Sequence, residues 1–225
     1  MDKIIHYCWF GNGKKSSLIK KCIKSWKLAM PDFEIIEWNE SNVDLSENSY
    51  VHEAYLSKKW AFVSDYYRLK ALYEMGGIYL DTDVEVFKTL KPFIKDTVFS
   101  GVEIYKGKLL PFTPYVFGAE KNNTFIKELL DMYTDLRFIN PDGSKNELPN
   151  TVRISEHLVN QYGASPTKNT EQMLKDGIHI YPSNYFCEKS SDSFAVHHFS
   201  GSWMPLKKKL KLRYYKIRKF LGLES

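Results

Sequence analysis

The chain has 225 residues, of which 43% are hydrophobic and 26% charged, a balance typical of a globular protein. This composition excludes a disordered chain, a collagen-like repeat and a disulfide scaffold. The N-terminus lacks a signal peptide's apolar segment, and no apolar run approaches the ~20 residues that span a bilayer. Three scattered cysteines, Cys8, Cys22 and Cys187, predict neither a disulfide framework nor a zinc cluster, so a reducing cytoplasm is the expected location.

The net charge of +5 comes from the C-terminal end of the chain. Residues 207–219 contain eight basic residues and no acidic ones. Because 8 of the 32 basic and 1 of the 27 acidic residues lie in 207–225, residues 1–206 carry 24 basic and 26 acidic side chains. A body this close to neutral argues against a nucleic-acid partner, since nucleic-acid-binding domains present a basic face.

The first elements predict a strand–helix–strand unit. Residues 4–10 form an apolar run that ends at the turn residues 11–13, which is typical of a buried strand. A serine at position 16 or 17 caps a predicted helix that runs to about residue 29, and residues 33–38 predict a second strand. This opening predicts an α/β protein with parallel strands.

The rest of the chain predicts mixed elements, with no internal repeat and no second domain. A long helix is predicted over residues 60–75, with Gly76 in the position that ends a helix. The other predicted elements are strands at 78–80, 84–87, 97–104, 178–181 and 194–199, helices at 122–133 and 155–162, and a loop at 138–152.

An acidic turn follows the strand predicted over 78–80. Asp81, Asp83 and Glu85 would share one face if the chain stayed extended there. Two carboxylates this close repel each other unless a cation lies near them, and oxygen ligands favour Mn²⁺ or Mg²⁺. By itself a D-x-D tripeptide is more often a solvated turn. Its place at the carboxyl end of an apolar strand favours a ligand site.

The preceding helix contains a second group of polar residues. Ser64, Asp65 and Arg68 lie within one helical turn, and Asp65 and Arg68 are neighbours at i and i+3. The ordinary interpretation of such a pair is a surface ion pair. Its place just before the acidic turn favours a pocket that both groups share.

Three segments in order, residues 3–11, 60–83 and 195–203, cover nearly the whole chain. The first is similar to the family pattern I-P-K-I-I-H-x-x-W-x-G, with Asp2 in place of the proline, and the last to H-H-x-x-G-S-W. Together they resemble the DXD-motif glycosyltransferases of family 32. Relatives of that family include yeast outer-chain mannosyltransferases, bacterial capsule transferases and, more distantly, the glucosylating clostridial toxins.

The resemblance implies a GT-A fold, a single Rossmann-like nucleotide-sugar-binding domain with a mixed central sheet, over residues 1–206. It implies retaining, metal-dependent transfer of a hexose-type sugar from a nucleotide sugar, with a UDP-sugar favoured by analogy. The acceptor would be a glycan or a lipid-linked oligosaccharide in polysaccharide biosynthesis. No catalytic nucleophile emerges from the residues themselves, and the family suggests a front-face mechanism.

The resemblance also assigns roles to residues. Those implied to bind the nucleotide sugar are Trp9, Ser64, Asp65, Arg68, Asp81, Ser202 and Trp203. The Trp9 indole would stack on the base, Asp65 and Arg68 would hold sugar hydroxyls, and Ser202 and Trp203 would close over the diphosphate or leaving group. Asp65, Arg68 and Asp83 are the implied catalytic residues.

The implied cofactor is Mn²⁺ or Mg²⁺. Asp81 would contact the ribose and share in metal binding, and Asp83 would ligate the metal directly. His198 is the implied third ligand, because it fits the H-x-x-G spacing of related enzymes. His197 would point to the opposite face of a strand, but the choice between the two histidines stays open.

The basic tail, residues 207–225, predicts an amphipathic helix. Its apolar stripe consists of Leu210, Tyr214, Ile217 and Leu221. Such a helix is a candidate for lying on an anionic membrane, here the inner face of the plasma membrane, although a solvated helix packed on the body is the simpler interpretation.

Two other functions remain open at this stage. A phosphatase of the haloacid-dehalogenase type also uses D-x-D after an apolar strand, but its nucleophilic aspartate lies near the chain start, and the first strand here carries none. The other is a non-catalytic module that binds sugars or membranes. Turnover of a UDP-sugar with Mn²⁺ would separate a glycosyltransferase from both.

Overall fold

The computed structural model describes residues 1–105 and 107–200. The predicted site residues Ser202 and Trp203, the domain boundary at residue 206 and the predicted tail helix over 207–225 lie outside this part of the chain. In the part described, no helix combines the length and the apolar character that crossing a bilayer requires.

Six helices occur in the described residues: α1 Ser17–Ala29, α2 Ser49–Leu56, α3 Trp60–Met75, α4 Thr124–Asp131, α5 Asn150–Tyr162 and α6 Ser183–Phe186. The strands described are β1 Ile4–Cys8, β2 Glu34–Trp38, β3 Gly77–Leu80, β4 Val84–Val86, β5 Val98–Gly101, β6 Glu103–Tyr105, β7 Lys108–Leu110, β8 Val116–Ala119, β9 Gln172–Met173, β10 Ile178–Tyr181 and β11 Ala195–His197.

Seven strands form the central sheet in the order β2-β1-β3-β8-β5-β10-β9. β1 runs parallel to β2 and β3, and β5 parallel to β10, whereas β8 is antiparallel to both of its neighbours. The predicted α/β class with a mixed central sheet is therefore confirmed. Two small antiparallel pairs, β4 with β11 and β6 with β7, lie outside this sheet.

The central strand β8 is absent from the sequence-based prediction. Its four residues include Gly118, where an added Cβ would lie 2.4 Å from the Phe99 ring and 2.9 Å from the Gly77 carbonyl oxygen. Glycine weakens the strand signal of a short segment, but here it lets the neighbouring strand pack closely. Helix α5 also differs from its prediction, because it begins at Asn150 directly after Pro149 and shortens the predicted loop.

Both faces of the sheet are buried. Tyr79 of β3 belongs to the core on the face covered by α3, together with Tyr67 and Phe117, whereas Ile78 and Leu80 belong to the core of the opposite face. Side chains alternate along a strand, so the side chain of Asp81 follows that of Tyr79 onto the α3 face. The Tyr79 hydroxyl accordingly donates to Asp81 Oδ1 over 2.9 Å.

His6 of β1 is a structural residue that fixes the turn between α3 and β3. It is fully buried; Trp38 Nε1 donates to its Nδ1 over 3.1 Å, and its Nε2 donates to the Gly76 carbonyl over 2.8 Å. Gly76 and Gly77 both have positive φ, of 69° and 101°, so this turn favours glycine. Burial lowers the pKa of His6 to about 4, which the hydrogen bond to Gly76 only partly offsets.

We expect His6 to make folding pH-dependent. The unfolded chain binds a proton at His6 near the ordinary pKa of 6.5 and the folded chain only near 4, so acid favours unfolding across this interval. Wild-type protein should lose roughly 3 kcal/mol of unfolding free energy between those pH values from this group. His6→Gln keeps a donor for Gly76 and cannot titrate. Denaturant unfolding at pH 4 to 7 should show a shallower pH slope for the variant, and an identical slope would contradict this role.

Candidate active site

A pocket of about 580 Å³ lies beside the carboxyl ends of β1 and β3. Most of the predicted site residues described by the structure contribute to its lining, namely Trp9, Ser64, Arg68, Asp81 and Asp83. Asp65 is not part of the lining and lies behind it, joined to the pocket through Arg68. The structure thus brings residues from the three segments 3–11, 60–83 and 195–203 into one site, among them Trp9, Asp81 and His197.

The acidic residues lie in a turn and not in a continuous strand. β3 ends at Leu80, and the Val84 amide donates to the Asp81 carbonyl over 3.0 Å, which closes the turn. Asp81 and Asp83 still reach the same pocket. Glu85 does not share their face, because strand alternation does not extend across a turn; its carboxylate pairs with Lys21 over 2.7 Å and with His198 over 2.9 Å.

A candidate metal site is formed by Asp81, Asp83 and His197, which offer ligand atoms that all lie within 4.8 Å of one another. His197 Nε2 lies 2.9 Å from Asp83 Oδ1. His198 instead turns outward to Glu85. His197 is the last residue of β11 and His198 follows it; their side chains point to opposite sides, and the pairing of β11 with β4 turns His197 to the aspartates. Of the two histidines between which the sequence left the choice open, His197 is the one whose side chain lies with the aspartates.

Asp83 is the most constrained of the three. Its side chain accepts from His197 and, over 2.7 Å, from the Ser200 amide. Burial raises the pKa of Asp83, but these hydrogen bonds and the nearby imidazole outweigh it and lower the pKa well below the ordinary value. Burial lowers the pKa of His197, and the hydrogen bond to Asp83 outweighs it and raises that pKa. Asp83 is therefore an anion at neutral pH.

The donor set fits a hard to borderline divalent cation such as Mn²⁺. Two carboxylates and one imidazole are suitable ligands for Mn²⁺, and three protein ligands leave coordination positions for phosphate oxygens. His197 Nδ1 and Ser200 Oγ are buried atoms with no hydrogen-bond partner among the residues that the structure describes, so each can bind a further polar group at the edge of this cluster. Asp81, Asp83 and His197 are the residues that would hold the ion.

Arg68 is buried, with 5% of its surface exposed, and its donors are used within the protein. Its Nη2 lies 3.1 Å from Asp65 Oδ1 and 3.3 Å from Asp81 Oδ1, and its Nη1 donates to the Pro114 carbonyl over 2.7 Å. The guanidinium also lies 4.8 Å from the centre of the Tyr79 ring. This arrangement fixes the orientation of Asp81.

Asp65 is the partner of Arg68 on α3 and is equally enclosed. The pair is the i, i+3 pair of the sequence prediction, but it is buried and not on the surface. Burial raises the pKa of Asp65 to about 6, although Arg68 counteracts this rise. Asn150 Nδ2 donates to the Asp65 carbonyl over 2.9 Å and links α5 to this part of α3.

Tryptophan side chains line the pocket at the ends of β1 and α3. Trp9 donates from Nε1 to the Gly13 carbonyl over 2.7 Å, which fixes its ring. Trp60 packs on Gly11, where an added Cβ would lie 2.6 Å from the indole. Lys15 Nζ lies 5.3 Å from the centre of the Trp9 ring. Tryptophan rings with a lysine nearby suit a ligand that has a flat ring at one end and a negatively charged group at the other.

Several pocket residues were given no role from the sequence, among them Trp60, Tyr79, Phe199 and Ser200. Trp60 and Tyr79 are part of the segment 60–83, so their presence there was a usable signal, but aromatic residues in helices and strands are usually core. The pairing of β11 with β4 places His197, and a hydrogen bond to Asp83 places Ser200, and no local pattern reveals either contact.

Residues 16–100 match a family model described as the glycosyltransferase sugar-binding region containing the DXD motif. No curated protein sequence matches the chain. Among solved structures, the PaToxG glycosyltransferase aligns at 21% identity over 70% of this chain and 68% of its own, with a TM-score of 0.48. A glycosyltransferase involved in glycosylation of the major capsid of PBCV-1 aligns at 13% identity over 94% and 98%, with a TM-score of 0.48. The galactosyltransferase LgtC, in complex with donor and acceptor sugar analogs, aligns at 13% identity over 94% and 95%, with a TM-score of 0.43.

The family match and the pocket coincide. Asp81-Thr82-Asp83 is the only D-x-D tripeptide within residues 16–100, and all three of its residues line the pocket. Ser64 and Arg68 of the same pocket also lie within the matched region. The part of the chain that is similar to the DXD-containing sugar-binding region of glycosyltransferases therefore includes much of the wall of this pocket.

Proposed function

We propose that this protein is a retaining, metal-dependent hexosyltransferase of family 32 that uses a nucleotide sugar, with a UDP-sugar favoured. The observation that carries the proposal is the juxtaposition of Asp81, Asp83 and His197 in the wall of a pocket that Trp9 and Trp60 also line. A nucleotide sugar consists of a flat base, an anionic diphosphate and a sugar. The base matches the tryptophan rings, and the diphosphate matches a cation held by the two aspartates and His197. The proposed acceptor is a glycan or a lipid-linked oligosaccharide.

In this proposal the base stacks on the Trp9 ring. The hydrogen bond to Gly13 fixes the orientation of that ring, so little side-chain freedom is lost on binding. Lys14 also lines the pocket and adds a positive charge for phosphate oxygens. Ser64 Oγ donates to the Trp60 carbonyl over 3.0 Å, and its oxygen is available as an acceptor within the pocket.

A divalent cation at Asp81, Asp83 and His197, once bound, would neutralise charge on the diphosphate leaving group. The chain's own residues prepare that site: Tyr79 and Arg68 hold Asp81 in one orientation, and Ser200 and His197 hold Asp83. Arg68 therefore enters the proposal as a positioning residue. The role of sugar ligand, which the resemblance assigned to Arg68, gains no support from a guanidinium that is already surrounded by protein acceptors.

We propose that the transferred sugar retains its anomeric configuration, because of the side chains that line the pocket. Among residues 1–105 and 107–200, its only carboxylates are Asp81 and Asp83, and both belong to the candidate metal site. An inverting transferase needs a further base that deprotonates the acceptor from the opposite side. A front-face reaction, in which a donor phosphate oxygen takes the acceptor proton, needs none.

A thermal-shift screen of nucleotide sugars, with and without Mn²⁺, tests this function, because a ligand that binds only the folded state raises the melting temperature. A UDP-sugar should stabilise the protein more with Mn²⁺ than without it, and release of UDP should require the metal. Anomeric configuration of the transferred sugar, read by NMR, tests retention. Absence of any Mn²⁺-dependent shift across UDP-, GDP- and dTDP-sugars would refute the function.

We further propose that the tail, residues 207–225, binds anionic membrane at the cytoplasmic face, on the strength of its eight basic residues and its apolar stripe. Each basic residue near such a surface contributes up to about 1 kcal/mol, and salt screens this attraction. Full-length protein should co-sediment with phosphatidylserine vesicles at low salt. Replacing Lys207, Lys208, Lys209 and Lys211 by Gln should weaken sedimentation at least tenfold. Equal sedimentation of both proteins would contradict membrane binding by the tail.

A further inference from the structure

Phe199 is an exposed aromatic residue in an unusual backbone conformation. Its φ is 49°, in the left-handed region that a bulky side chain rarely adopts, and 49% of its surface is exposed. Strained residues of this kind persist only where their surroundings hold them, and they cluster at functional sites. Phe199 also borders the pocket of the DXD turn.

Asp83 holds the backbone on both sides of Phe199. The His198 amide donates to the Asp83 carbonyl over 3.0 Å, and the Ser200 amide donates to Asp83 Oδ2 over 2.7 Å. These two bonds bend residues 198–200 around Asp83. The bend directs the Phe199 ring to the rim of the pocket instead of into the core, so its position depends on the candidate metal site itself.

The Phe199 ring packs against two other rings, those of His197 and Tyr115. Its centre lies 4.1 Å from that of the His197 imidazole, and the Tyr115 ring approaches at 5.8 Å with an interplanar angle of 78°. Tyr115 and His197 are themselves in contact, with ring centres 4.2 Å apart. The rings of Tyr115, His197 and Phe199 therefore pack as one cluster, in which the Phe199 ring is the half-exposed member.

We propose that Phe199 is the stacking platform for the acceptor sugar, an inference that rests on the proposed transferase function. The C–H face of a pyranose ring is apolar and weakly positive, and it packs on the electron-rich face of an aromatic ring. In the proposed function the donor lies with its base on Trp9 and its diphosphate at Asp81 and Asp83, which line the same pocket as Phe199. The acceptor approaches from solvent, beside the metal site, where the half-exposed ring lies.

The test measures binding of methyl glycosides of glucose, galactose and mannose to full-length protein loaded with UDP and Mn²⁺, by saturation-transfer NMR and titration. At least one glycoside should bind, with saturation strongest at its C–H face. Phe199→Ala should weaken that affinity at least tenfold, and Phe199→Trp should restore most of it. The matched control is Phe87→Ala, which removes a ring that is 44% exposed but does not line the pocket and should leave affinity unchanged.

Phe199→Gly and Phe199→Leu separate the ring from the strained backbone. Glycine accepts the left-handed conformation without strain, so Phe199→Gly removes the ring and the strain together, and affinity should fall as in Phe199→Ala. Leucine keeps apolar bulk without a ring and should bind weakly. Wild-type affinity in Phe199→Ala or Phe199→Leu would overturn the platform. So would UDP and Mn²⁺ binding without any glycoside binding, a result that leaves the transferase proposal standing. Failure of UDP and Mn²⁺ to bind would instead remove the transferase proposal and this inference together.

Discussion

Asp83→Asn should abolish Mn²⁺-dependent activity. The substitution keeps the size of the side chain but removes the negative charge that Asp83 carries at neutral pH. Loss of one charged ligand reduces the stabilisation that a cation can give to the leaving group by several kcal/mol. Release of UDP from a UDP-sugar should therefore fall by about 10³-fold or more, and calorimetric titration should show Mn²⁺ binding weakened in parallel.

Glu85→Gln is the matched control for this experiment. Glu85 lies two residues beyond Asp83, but it pairs with Lys21 and His198 and does not line the pocket. Its substitution should change neither Mn²⁺ affinity nor turnover by more than a few-fold. The metal assignment is wrong if Asp83→Asn keeps wild-type Mn²⁺ affinity, or if Glu85→Gln loses it to the same degree.

Arg68→Met should destabilise the folded protein strongly. Removal of the guanidinium leaves Asp65 and Asp81 without their shared cation, and breaking a buried ion pair from one side costs about 3–5 kcal/mol of unfolding free energy. For a chain of this size the melting temperature should fall on the order of 10 °C. Denaturant unfolding and calorimetry measure both quantities, and a loss below about 1 kcal/mol would show that the pair contributes little.

A double-mutant cycle with Asp65→Asn isolates the interaction of the pair. Asp65 is the carboxyl that burial already pushes toward the neutral form, with its pKa near 6. Removing its charge should restore part of the stability lost in Arg68→Met, so the effects of the two substitutions should not add. Strict additivity would mean that Arg68 acts through Asp81 and Pro114 alone.

Local pattern determined much of the architecture. The strand over 4–10, the helix to residue 29 and the strand over 33–38 follow from short-range periodicity and turn residues, and the structure has β1, α1 and β2 there. The helix predicted over 60–75 has those bounds in the structure, because Gly76 follows directly and, with its positive φ, ends the helix. The D-x-D turn that follows the apolar strand lines the pocket in the structure.

Long-range packing decided the rest. β8 lies between β3 and β5, and Gly118 leaves room there for the ring of Phe99, its pairing partner on β5. The choice of His197 over His198 depends on how β11 pairs with β4, and pairing fixes which side of a strand faces the pocket. The sequence determined which residue types are present and their local elements. Only the tertiary structure decided which of those side chains meet, because burial and cross-strand register arise from segments more than a hundred residues apart.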